Sequence, residues 1–556
     1  MNNWAQKLTS PTFRHTAIGL YVVCLAALIG VYVWVSLLQV EYAAYIQGDQ
    51  TFEKGRPNAM RGVVLDAPSG QFIRGAGIEL TLVDGTYESD EKLDSLLALP
   101  STGVAKARTA PSGHVHLKAT VPEDWTAGEQ ALVVRADGSN VENFRTGSKI
   151  AVAERTAPVD YWPRRTERLP KDDGRRGTKT VASSEGPIQI ELLPADGRVS
   201  RGLRSEVFLR TVDRETKEPV SVALVFEKAE GMRQGDLPKE LRTDEMGLAR
   251  LDIVAMTDQT WTLATKPERE GEEPSSAKLH VTTVPTQVAL QMNEPLAVSG
   301  EPADGVVYSL FQSGGVMVDL YNGDDWVDAA AFGIRPDRSG VRAKVPALDE
   351  EGLLYRVQVY KSIYDAGGAW DIEYLVAAEG RGLDDYQQAA QKLADYVAER
   401  TDDPYFDAVA GSDVFVTTVD TAKLRLWIVA MLEAVPRHFD APPLLINSQK
   451  AAREKLAAWK DDVKGDLMIL TAIALLIGLA VVGYLVLMGV KSYQQQNQML
   501  RDVELEMSLD EEGDEAYAQL DKSINEANWV AGLQIFIVVA TLVFFTLGIL
   551  LLLSYL

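Results

Sequence analysis

Three long apolar stretches constrain this chain more than any other feature of its sequence. Residues 17–40, 467–490 and 529–556 contain no Asp, Glu, Lys or Arg. Each is longer than the roughly 20 apolar residues that a helix needs to cross the hydrocarbon core of a bilayer. We therefore predict a membrane protein with three transmembrane helices.

The charges beside the first apolar stretch predict its orientation. Lys7 and Arg14 precede it and Glu41 follows it, and basic residues favour the cytoplasmic side of a span. The N-terminus is then cytoplasmic, residues 41–466 are exported, and an acidic loop at 491–526 returns to the cytoplasm. The stretch is longer than the usual signal-peptide core of about 7–15 residues. We expect an uncleaved signal anchor, with cleavage just after the span as the alternative.

Cysteine usage and charge indicate the compartment. Cys24 is the only cysteine and lies inside the first apolar stretch, so the exported region has no disulfide, and it has no Asn-x-Ser/Thr site. A secreted eukaryotic ectodomain usually has both. We therefore expect a bacterial inner-membrane protein with a large periplasmic region. The formal net charge of −24 argues against nucleic acid and anionic lipid as main partners.

Residues 58–380 consist of short alternating runs separated by Gly, Pro, Asp and Asn. Runs such as GIELTLV, SEVFLRTVD and YRVQVYK have the period-two alternation of half-buried strands. A polar turn, a glycine (Gly113, Gly247 or Gly340) and an alternating strand recur three times. Short strands at this spacing favour antiparallel β-sandwiches, and the weak repeat predicts three copies of one domain type.

Beyond residue 382 the apolar period becomes helical. Residues 384–400 are amphipathic, residues 421–435 are more apolar, and residues 448–465 lead into the second apolar stretch. The middle segment is too short to cross a bilayer. We expect these segments to form a helical stalk close to the membrane.

A connector at 154–187 separates the first two predicted domains and is rich in proline and arginine. Its arginines are Arg164, Arg165, Arg168, Arg175 and Arg176. We interpret the connector as solvated and partly extended. The alternative is a docking strip for an acidic partner or a lipid surface.

Two long segments carry a family resemblance. GRPNAMRGVVLDAPSGQFIRGAGIELTLVDG and TAPSGHVHLKATVPEDWTAGEQALVVRADG resemble the macroglobulin-like, immunoglobulin-type sandwich modules of bacterial alpha-2-macroglobulin-like proteins. A second copy is similar at ETKEPVSVALVFEK and TDEMGLARLDI. The resemblance covers residues 58–380 and implies a fold and a binding style rather than a reaction.

Members of that family carry a Gly-Cys-Gly-Glu-Gln thioester, and part of this motif occurs here. Gly128 begins a Gly-Glu-Gln run, but Thr126 and Ala127 stand where the motif has Gly and Cys. Without the sulfur no acyl transfer is available at this site. We interpret Gly128 as a turn residue that begins the closing strand of the first sandwich.

No other residue pattern predicts a metal or a cofactor. His114 and His116 alternate along one predicted strand, so both imidazoles could point the same way. A zinc site needs three or four ligands, and we interpret the pair as solvated strand residues. Acidic runs at 88–94 and 322–328 lack the spacing of a calcium loop. We expect neither a metal site nor a cofactor.

Enzyme motifs are also missing from the sequence. We find no Gly-x-Ser-x-Gly elbow, glycine-rich phosphate loop or His-Glu-x-x-His helix, so we predict no catalytic residues and no enzymatic activity. Ala474 and Gly478, in the second apolar stretch, form a small-x-x-x-small pair that lets helices pack closely. That pair could join the second span to the third or to a partner.

The predicted fold is mainly β: tandem immunoglobulin-like or macroglobulin-like β-sandwiches with an α-helical membrane-proximal stalk and three transmembrane helices. The predicted segments are the cytoplasmic N-terminus 1–16, transmembrane helix 17–40, β-sandwich 58–153, linker 154–187, β-sandwiches 188–270 and 276–380, helical stalk 383–465, transmembrane helix 467–490, acidic cytoplasmic loop 491–526 and transmembrane helix 529–556.

These predictions favour a non-enzymatic scaffold, adhesion protein or accessory subunit of a bacterial envelope complex. Its exported domains would bind other membrane or periplasmic proteins, and it could form homo- or hetero-oligomers. One alternative is a sensor or regulatory subunit of a transport, motor or signalling complex. A second is a protease-trapping or otherwise enzyme-related protein.

Overall fold

The chain divides into two compact units. The computed structural model describes residues 11–138, 141–156, 180–195, 197–231, 238–267, 273–311, 314–323, 325–334, 341–347, 352–361, 369–437 and 439–507, together with isolated positions between 522 and 548. The β-rich unit runs from Tyr42 to Ser448, and the apolar unit combines Met1–Glu41 with Gln449–Leu556.

The chain is mainly β, and its helices lie before, between and after the strands. They are α1 Pro11–Leu37, α2 Leu93–Leu96, α3 Leu383–Ala398, α4 Pro404–Ala410, α5 Val414–Thr417, α6 Thr421–Leu432 and α7 Ser448–Met507, with a 3-10 turn at Asp90–Lys92.

The first double sheet consists of a four-stranded sheet, in the order β27-β1-β3-β6, and a five-stranded sheet, in the order β2-β8-β7-β4-β5. Its strands are β1 Tyr42–Gly48, β2 Thr51–Glu53, β3 Pro57–Asp66, β4 Gly77–Val83, β5 Ser101–Arg108, β6 His114–Thr120, β7 Gly128–Gly138, β8 Val141–Ala153 and β27 Leu444–Asn447. Apolar side chains from both sheets share one core.

The second double sheet pairs the three-stranded sheet β10-β12-β15 with the five-stranded sheet β14-β13-β16-β17-β9. Its strands are β9 Thr180–Glu185, β10 Ile188–Pro194, β12 Arg204–Asp213, β13 Ala223–Glu230, β14 Glu240–Arg242, β15 Leu248–Val254, β16 Gln259–Thr265 and β17 Ser276–Val281. The short strands β11 Val199–Ser200 and β18 Thr283–Val284 form a separate parallel pair. Trp261 is fully buried in its core.

The third double sheet pairs β19-β21-β24 with β20-β26-β25-β22-β23. Its strands are β19 Val288–Met292, β20 Leu296–Val298, β21 Pro302–Ser309, β22 Gly314–Asn322, β23 Asp325–Ile334, β24 Val341–Ala347, β25 Leu354–Tyr360 and β26 Trp370–Ala378. The two sheets again enclose one core.

Tight glycine turns recur before equivalent strands. Gly113 precedes β6 and Gly247 precedes β15, with φ of 83° and 65°, a backbone region that favours glycine. Each glycine N–H closes a turn onto the residue three positions earlier, at 2.7 and 3.0 Å. A Cβ on Gly247 would lie 2.2 Å from the carbonyl oxygen of Thr211. The third glycine of the predicted repeat, Gly340, lies outside the described residues.

Helices α3–α6 form a helical layer against the second and third double sheets, whereas the sequence predicted a separate stalk. Its core joins Leu393 and Trp427 of the helices to Phe208 of β12 and Tyr374 of β26. The apolar faces of these helices are therefore covered by sheets, because a short amphipathic helix is stable only when its apolar side is buried.

The β-rich unit begins and ends in the same sheet. β27 pairs antiparallel with β1, and Ile46 lies opposite Ile446. The Ala44 N–H also donates to the Ser448 hydroxyl at 2.8 Å. The predicted first sandwich started at residue 58 and so missed both strands. Four residues between Pro443 and a helix give too little alternation to predict a strand.

In the described part of the apolar unit, two helical segments are long and apolar enough to cross a membrane, Gly19–Leu37 and Ser448–Gln495. The first lies near the N-terminus, where a signal sequence has the same properties. The Tyr32 hydroxyl is hydrogen-bonded to the Thr471 hydroxyl at 2.9 Å. Most of the predicted third helix, 529–556, and most of the predicted acidic loop after Met507 lie outside the described residues.

Candidate functional site

A buried arginine joins the first and third double sheets. Arg61 of β3 lies 2.6 Å from Asp319 of β22, and neither side chain is exposed. The same guanidinium donates to the carbonyl oxygens of Val318 and Ala330 at 3.1 and 3.0 Å, and to the Tyr360 hydroxyl. Burial raises the pKa of Asp319, while the Arg61 charge opposes that rise.

Two further arginines join the second double sheet to its neighbours. Arg198 lies 2.5 Å from Asp371 of the third double sheet, and both are almost fully buried. Arg210 of β12 lies 2.9 Å from Asp403, at the start of α4, with its guanidinium carbon 4.6 Å from the Tyr405 ring centre. Removing one member of such a pair leaves an uncompensated buried charge, so these contacts fix how the parts meet.

A cleft of about 610 Å³ opens where the second double sheet, the third double sheet and the helical layer meet. Its walls come from the outer face of β12 and β15, from β19 and β21, and from α6. Ligand sites in proteins usually occupy about 300–1,000 Å³. This volume and its position at a junction make the cleft the candidate functional site.

Ion pairs line the cleft on the second double sheet and on α6. Arg204 lies 2.8 Å from Asp252, and Arg250 lies 2.9 Å from Glu206. All four side chains belong to one sheet face, because residues two apart on a strand point the same way. On the opposite wall, Arg425 of α6 lies 3.1 Å from Glu294 and donates to the carbonyl oxygen of Asn293.

Local interactions hold α6 in place. The Asp420 carboxylate caps the helix by accepting from the Ala422 N–H at 2.9 Å, as N-cap side chains commonly do. On the buried side of α6, Trp427 donates through Nε1 to Asp244 of the second double sheet at 2.7 Å. Burial raises the pKa of Asp244, and its hydrogen bonds, including the one from Trp427, oppose that rise.

Aromatic and flexible apolar side chains complete the lining. Tyr308, Met292, Leu426 and Val429 are half-buried at the cleft wall. Tyr386 is buried and donates to Glu294 at 2.8 Å, and burial raises its pKa to about 12. Tyr, Met and Arg are the side chains enriched in protein interfaces. The lining of the cleft therefore resembles a protein interface in composition.

Of the histidine pair predicted to be solvated, His114 is in fact buried and His116 is half-buried beside Arg61. His114 is only 8% exposed, and His116 accepts through Nδ1 from Arg61 Nε at 3.4 Å. Burial, with the Arg61 charge as a second cause, lowers the pKa of His114 to about 4 and of His116 to about 3. Both rings are neutral near pH 7. The solvated interpretation was wrong because the third double sheet covers this face of β6.

The Gly-Glu-Gln run has a structural place. Gly128 begins β7 with φ of 133°, and β7 lies in the middle of its five-stranded sheet. We predicted β7 to be the closing strand of the first sandwich, but β8 follows β7 and pairs with it in the same sheet. Ala127 has no sulfur, as the sequence showed. Within the described ranges, no group of three or more His, Cys, Asp or Glu residues is placed to hold a metal ion.

The remaining predicted residues lie in the apolar unit and the linker. The Tyr21 hydroxyl donates to the Ala474 carbonyl oxygen at 3.0 Å, and Gly478 is buried. Ala474 thus contacts α1; its packing against a third span or a partner stays a prediction. The five linker arginines, Arg164, Arg165, Arg168, Arg175 and Arg176, lie outside the described residues.

Sequence reasoning missed the cleft altogether. Its arginines, Arg204, Arg250 and Arg425, are isolated in the sequence and match no motif. The alternation of charged residues in GLARLDIV indicated a strand with a polar face, but not what that face opposes. That information depends on the packing of distant segments.

Comparisons with known proteins assign no family. No family model matches the chain, and no curated protein matches it. Solved structures similar to it include dimeric latent PorU from Porphyromonas gingivalis, with a TM-score of 0.22 and 12% identity over 61% of this chain and 34% of that chain. A Salmonella alpha-2-macroglobulin mutant has a TM-score of 0.16 and 9% identity, over 61% of this chain and 23% of that chain.

A 1.5-MDa bacterial ice-binding adhesin has a TM-score of 0.14 and 9% identity, over 61% of this chain and 99% of the solved chain. The first two likenesses span only about a third and a quarter of the proteins matched. TM-scores this low establish no common fold. Nothing about these three proteins is therefore carried over to this chain.

Proposed function

We propose that this chain is a non-enzymatic scaffold or accessory subunit of a bacterial envelope complex, which binds a protein partner in the cleft. The observation that carries the proposal is the lining of that cleft. Arg204, Arg250 and Arg425 stand beside half-buried Tyr308 and Met292, a composition typical of protein interfaces. These three arginines already pair with Asp252, Glu206 and Glu294.

The proposed setting is the inner membrane, with the N-terminus in the cytoplasm and the β-rich unit in the periplasm. The two helices able to cross a membrane support an anchored chain. The third span remains part of the proposal and rests on the uncharged sequence of residues 529–556. The absence of any cysteine outside the first apolar stretch agrees with a bacterial envelope protein.

The proposed folds of the three double sheets are immunoglobulin-like sandwiches of the macroglobulin type. Two mostly antiparallel sheets around one core support this proposal in each case. In such modules, strands and the surfaces between modules serve for binding. The proposed sandwich fold supports a binding role, and the composition of the cleft lining supports it separately.

Co-purification of the full chain from native membranes tests the proposed function. Arg425→Glu reverses a charge at the cleft wall, and we expect it to remove a partner that copurifies with the wild type. Arg145→Glu is the matched control, because Arg145 also forms an exposed ion pair, with Asp94 at 2.8 Å, on the first double sheet. Equal recovery of all proteins with both variants, at unchanged thermal stability, would refute the proposal.

A sensor or regulatory role is the second candidate, and the pairing of β1 with β27 favours it. The chain enters the β-rich unit at Tyr42 and leaves it at Ser448, and the two strands at these points are hydrogen-bonded neighbours. A displacement of the first double sheet would therefore act on both connections to the apolar unit. A partner whose activity changes with cleft occupancy would distinguish this role from a passive scaffold.

A further inference from the structure

β15 is an edge strand with an open side. Among the described strands it pairs with β12 alone, with Arg204 opposite Val254 and Arg210 opposite Leu248. The Thr211 N–H donates to the Gly247 carbonyl oxygen at 2.8 Å, just before the strand. Hydrogen-bonded pairs alternate along an antiparallel ladder, so the odd-numbered residues of β15 bond to β12.

The even-numbered residues of β15 direct their N–H and C=O groups away from β12. At Leu248 these groups are used by the preceding turn, because the Asp244 N–H donates to the Leu248 carbonyl oxygen at 3.0 Å and the Asp244 carboxylate accepts from the Leu248 N–H at 3.0 Å. At Arg250, Asp252 and Val254, no partner for these main-chain groups occurs among the described residues. Such a row is a template for another strand.

The side chains along this edge are exposed and include apolar ones. Val254 is 54% exposed and Met256, just beyond the strand, is 65% exposed. Arg250 and Asp252 lie on the outer face, with side chains 42% and 39% exposed. Leu251, between them, faces the core. The edge thus combines free main-chain groups and exposed apolar side chains with one basic and one acidic residue, and such a pair of opposite charges repels most strands but not a complementary one.

The sequence of β15, LARLDIV, has Leu251 at its centre, with a basic residue on one side of it and an acidic residue on the other. Two copies of this strand are therefore complementary in charge when they run antiparallel. In an antiparallel pair of two such strands centred on Leu251, Arg250 of each strand lies opposite Asp252 of the other. Both residues present their free main-chain groups at this register, so the hydrogen bonds and the ion pairs form together. Opposite charges directly across a sheet stabilise pairing, whereas like charges oppose it.

We propose that β15 pairs antiparallel with β15 of a second copy of this chain, joining the two three-stranded sheets across a two-fold axis at Leu251. Two-fold pairing is the commonest symmetric contact between identical chains, and each surface must complement itself. The reciprocal Arg250–Asp252 contacts meet that condition. Arg250 and Asp252 also line the cleft, but the proposal concerns the main-chain edge of β15 and requires no partner in the cleft.

Charge reversal in the full-length chain tests the proposal by mass measurement in detergent. Arg250→Asp alone and Asp252→Arg alone each place like charges opposite one another, and we expect each to raise the dimer dissociation constant about tenfold or more. The double variant Arg250→Asp/Asp252→Arg restores opposite charges across the two-fold axis, although within each copy it reverses the charges that face Glu206 and Arg204. We expect it to recover dimerisation, which only self-pairing predicts.

Cysteine cross-linking gives a second readout that does not depend on charge. In a Cys24→Ser background, Arg250→Cys with Asp252→Cys should form a cross-linked dimer on mild oxidation, because Cα atoms of hydrogen-bonded pairs lie about 5.5 Å apart, within the range of a disulfide. Arg250→Cys alone is the control and should cross-link poorly.

Three outcomes would overturn the proposal. One is a wild-type monomer that also fails to cross-link. Another is a dimer unchanged by either single reversal. The third is that both single variants lose the dimer and the double variant does not recover it, although it melts like the wild type. That result would mean that the edge pairs with a different protein.

Discussion

Among single residues, Arg61 is the one on which the assembly of the β-rich unit most depends. It is buried completely and contacts the third double sheet through Asp319, two carbonyl oxygens and the Tyr360 hydroxyl. A buried ion pair adds little net stability when both charges are present, but losing one partner is costly. The pair therefore matters more for specifying the joint than for the total stability.

Arg61→Met tests this view. It leaves the Asp319 carboxylate buried and unpaired, and we expect a loss of about 3–5 kcal/mol in the free energy of unfolding, measured by denaturant titration of the full chain. Lys266→Met is the control, since Lys266 pairs with Glu240 at 3.0 Å on the surface, and should cost about 0–1 kcal/mol. A similar cost for both variants would contradict the assigned role of Arg61.

The half-buried carboxyl group of Asp49 should make the folded protein less stable as pH rises. Burial and then the neighbouring Asp325 raise the pKa of Asp49 from 3.8 to about 6, against the effect of Arg56. The folded state thus binds the proton more tightly than the unfolded state, so stability falls as pH rises from about 4 to about 6. Asp49→Asn should stabilise the protein at pH 7 by roughly 1–3 kcal/mol.

The gain from Asp49→Asn should disappear below pH 4, where Asp49 is protonated in both the folded and the unfolded states. Thermal unfolding of both proteins at pH 7.5 and at the lowest pH that keeps them soluble checks this expectation. An equal difference at both pH values would show that the effect is steric, and the pKa argument would fail.

The histidine pair has the opposite pH dependence. The pKa of His116 is lowered from 6.5 to about 3, by burial first and by Arg61 second. The unfolded state therefore binds the proton more tightly, and stability is lost as pH falls below about 6.5. His116→Gln keeps an acceptor for Arg61 but cannot titrate. We therefore expect the thermal unfolding midpoint of this variant to fall less steeply as pH decreases below about 6.5. A midpoint that falls as steeply with decreasing pH as that of the wild type would contradict this.

Among the elements, β1 and β27 explain how the β-rich unit closes on itself. The alternating strands of residues 58–380 could be predicted because period two is a local signal. The β1–β27 pair could not, since it joins segments about 400 residues apart and each is too short or too close to an apolar helix to be recognised. For the same reason α3 and α6 were predicted, at 384–400 and 421–435, but their packing on two double sheets was not.

Ile446→Ala tests the contribution of β27. Ile446 is 3% exposed and belongs to the core of the first double sheet, so its truncation should cost about 2–4 kcal/mol in the free energy of unfolding. Leu444→Ala is the control within the same strand, because Leu444 is 41% exposed, and should cost well under half as much. Equal costs would mean that β27 does not complete this core.

For the whole molecule, the sequence predicted a mainly β exported region and three transmembrane helices. The structure confirms the mainly β character and, among the described residues, has two helices long and apolar enough to cross a membrane. Neither the cleft nor the Arg61 joint could be predicted. Both arise where the parts meet, and contacts between distant segments leave no periodic pattern in the chain. Charged residues such as Arg61 and Asp319 are usually exposed, which makes a buried pair the hardest feature to anticipate.

The central claim is that the cleft binds another protein, and site-specific photo-cross-linking in native membranes tests it most directly. A photoreactive residue in place of Tyr308, at the cleft wall, should give a discrete protein adduct that Arg425→Glu abolishes. The same residue in place of Lys106, whose side chain is 75% exposed on the first double sheet, should give none. No adduct from position 308, or equal adducts from both positions, would contradict the claim.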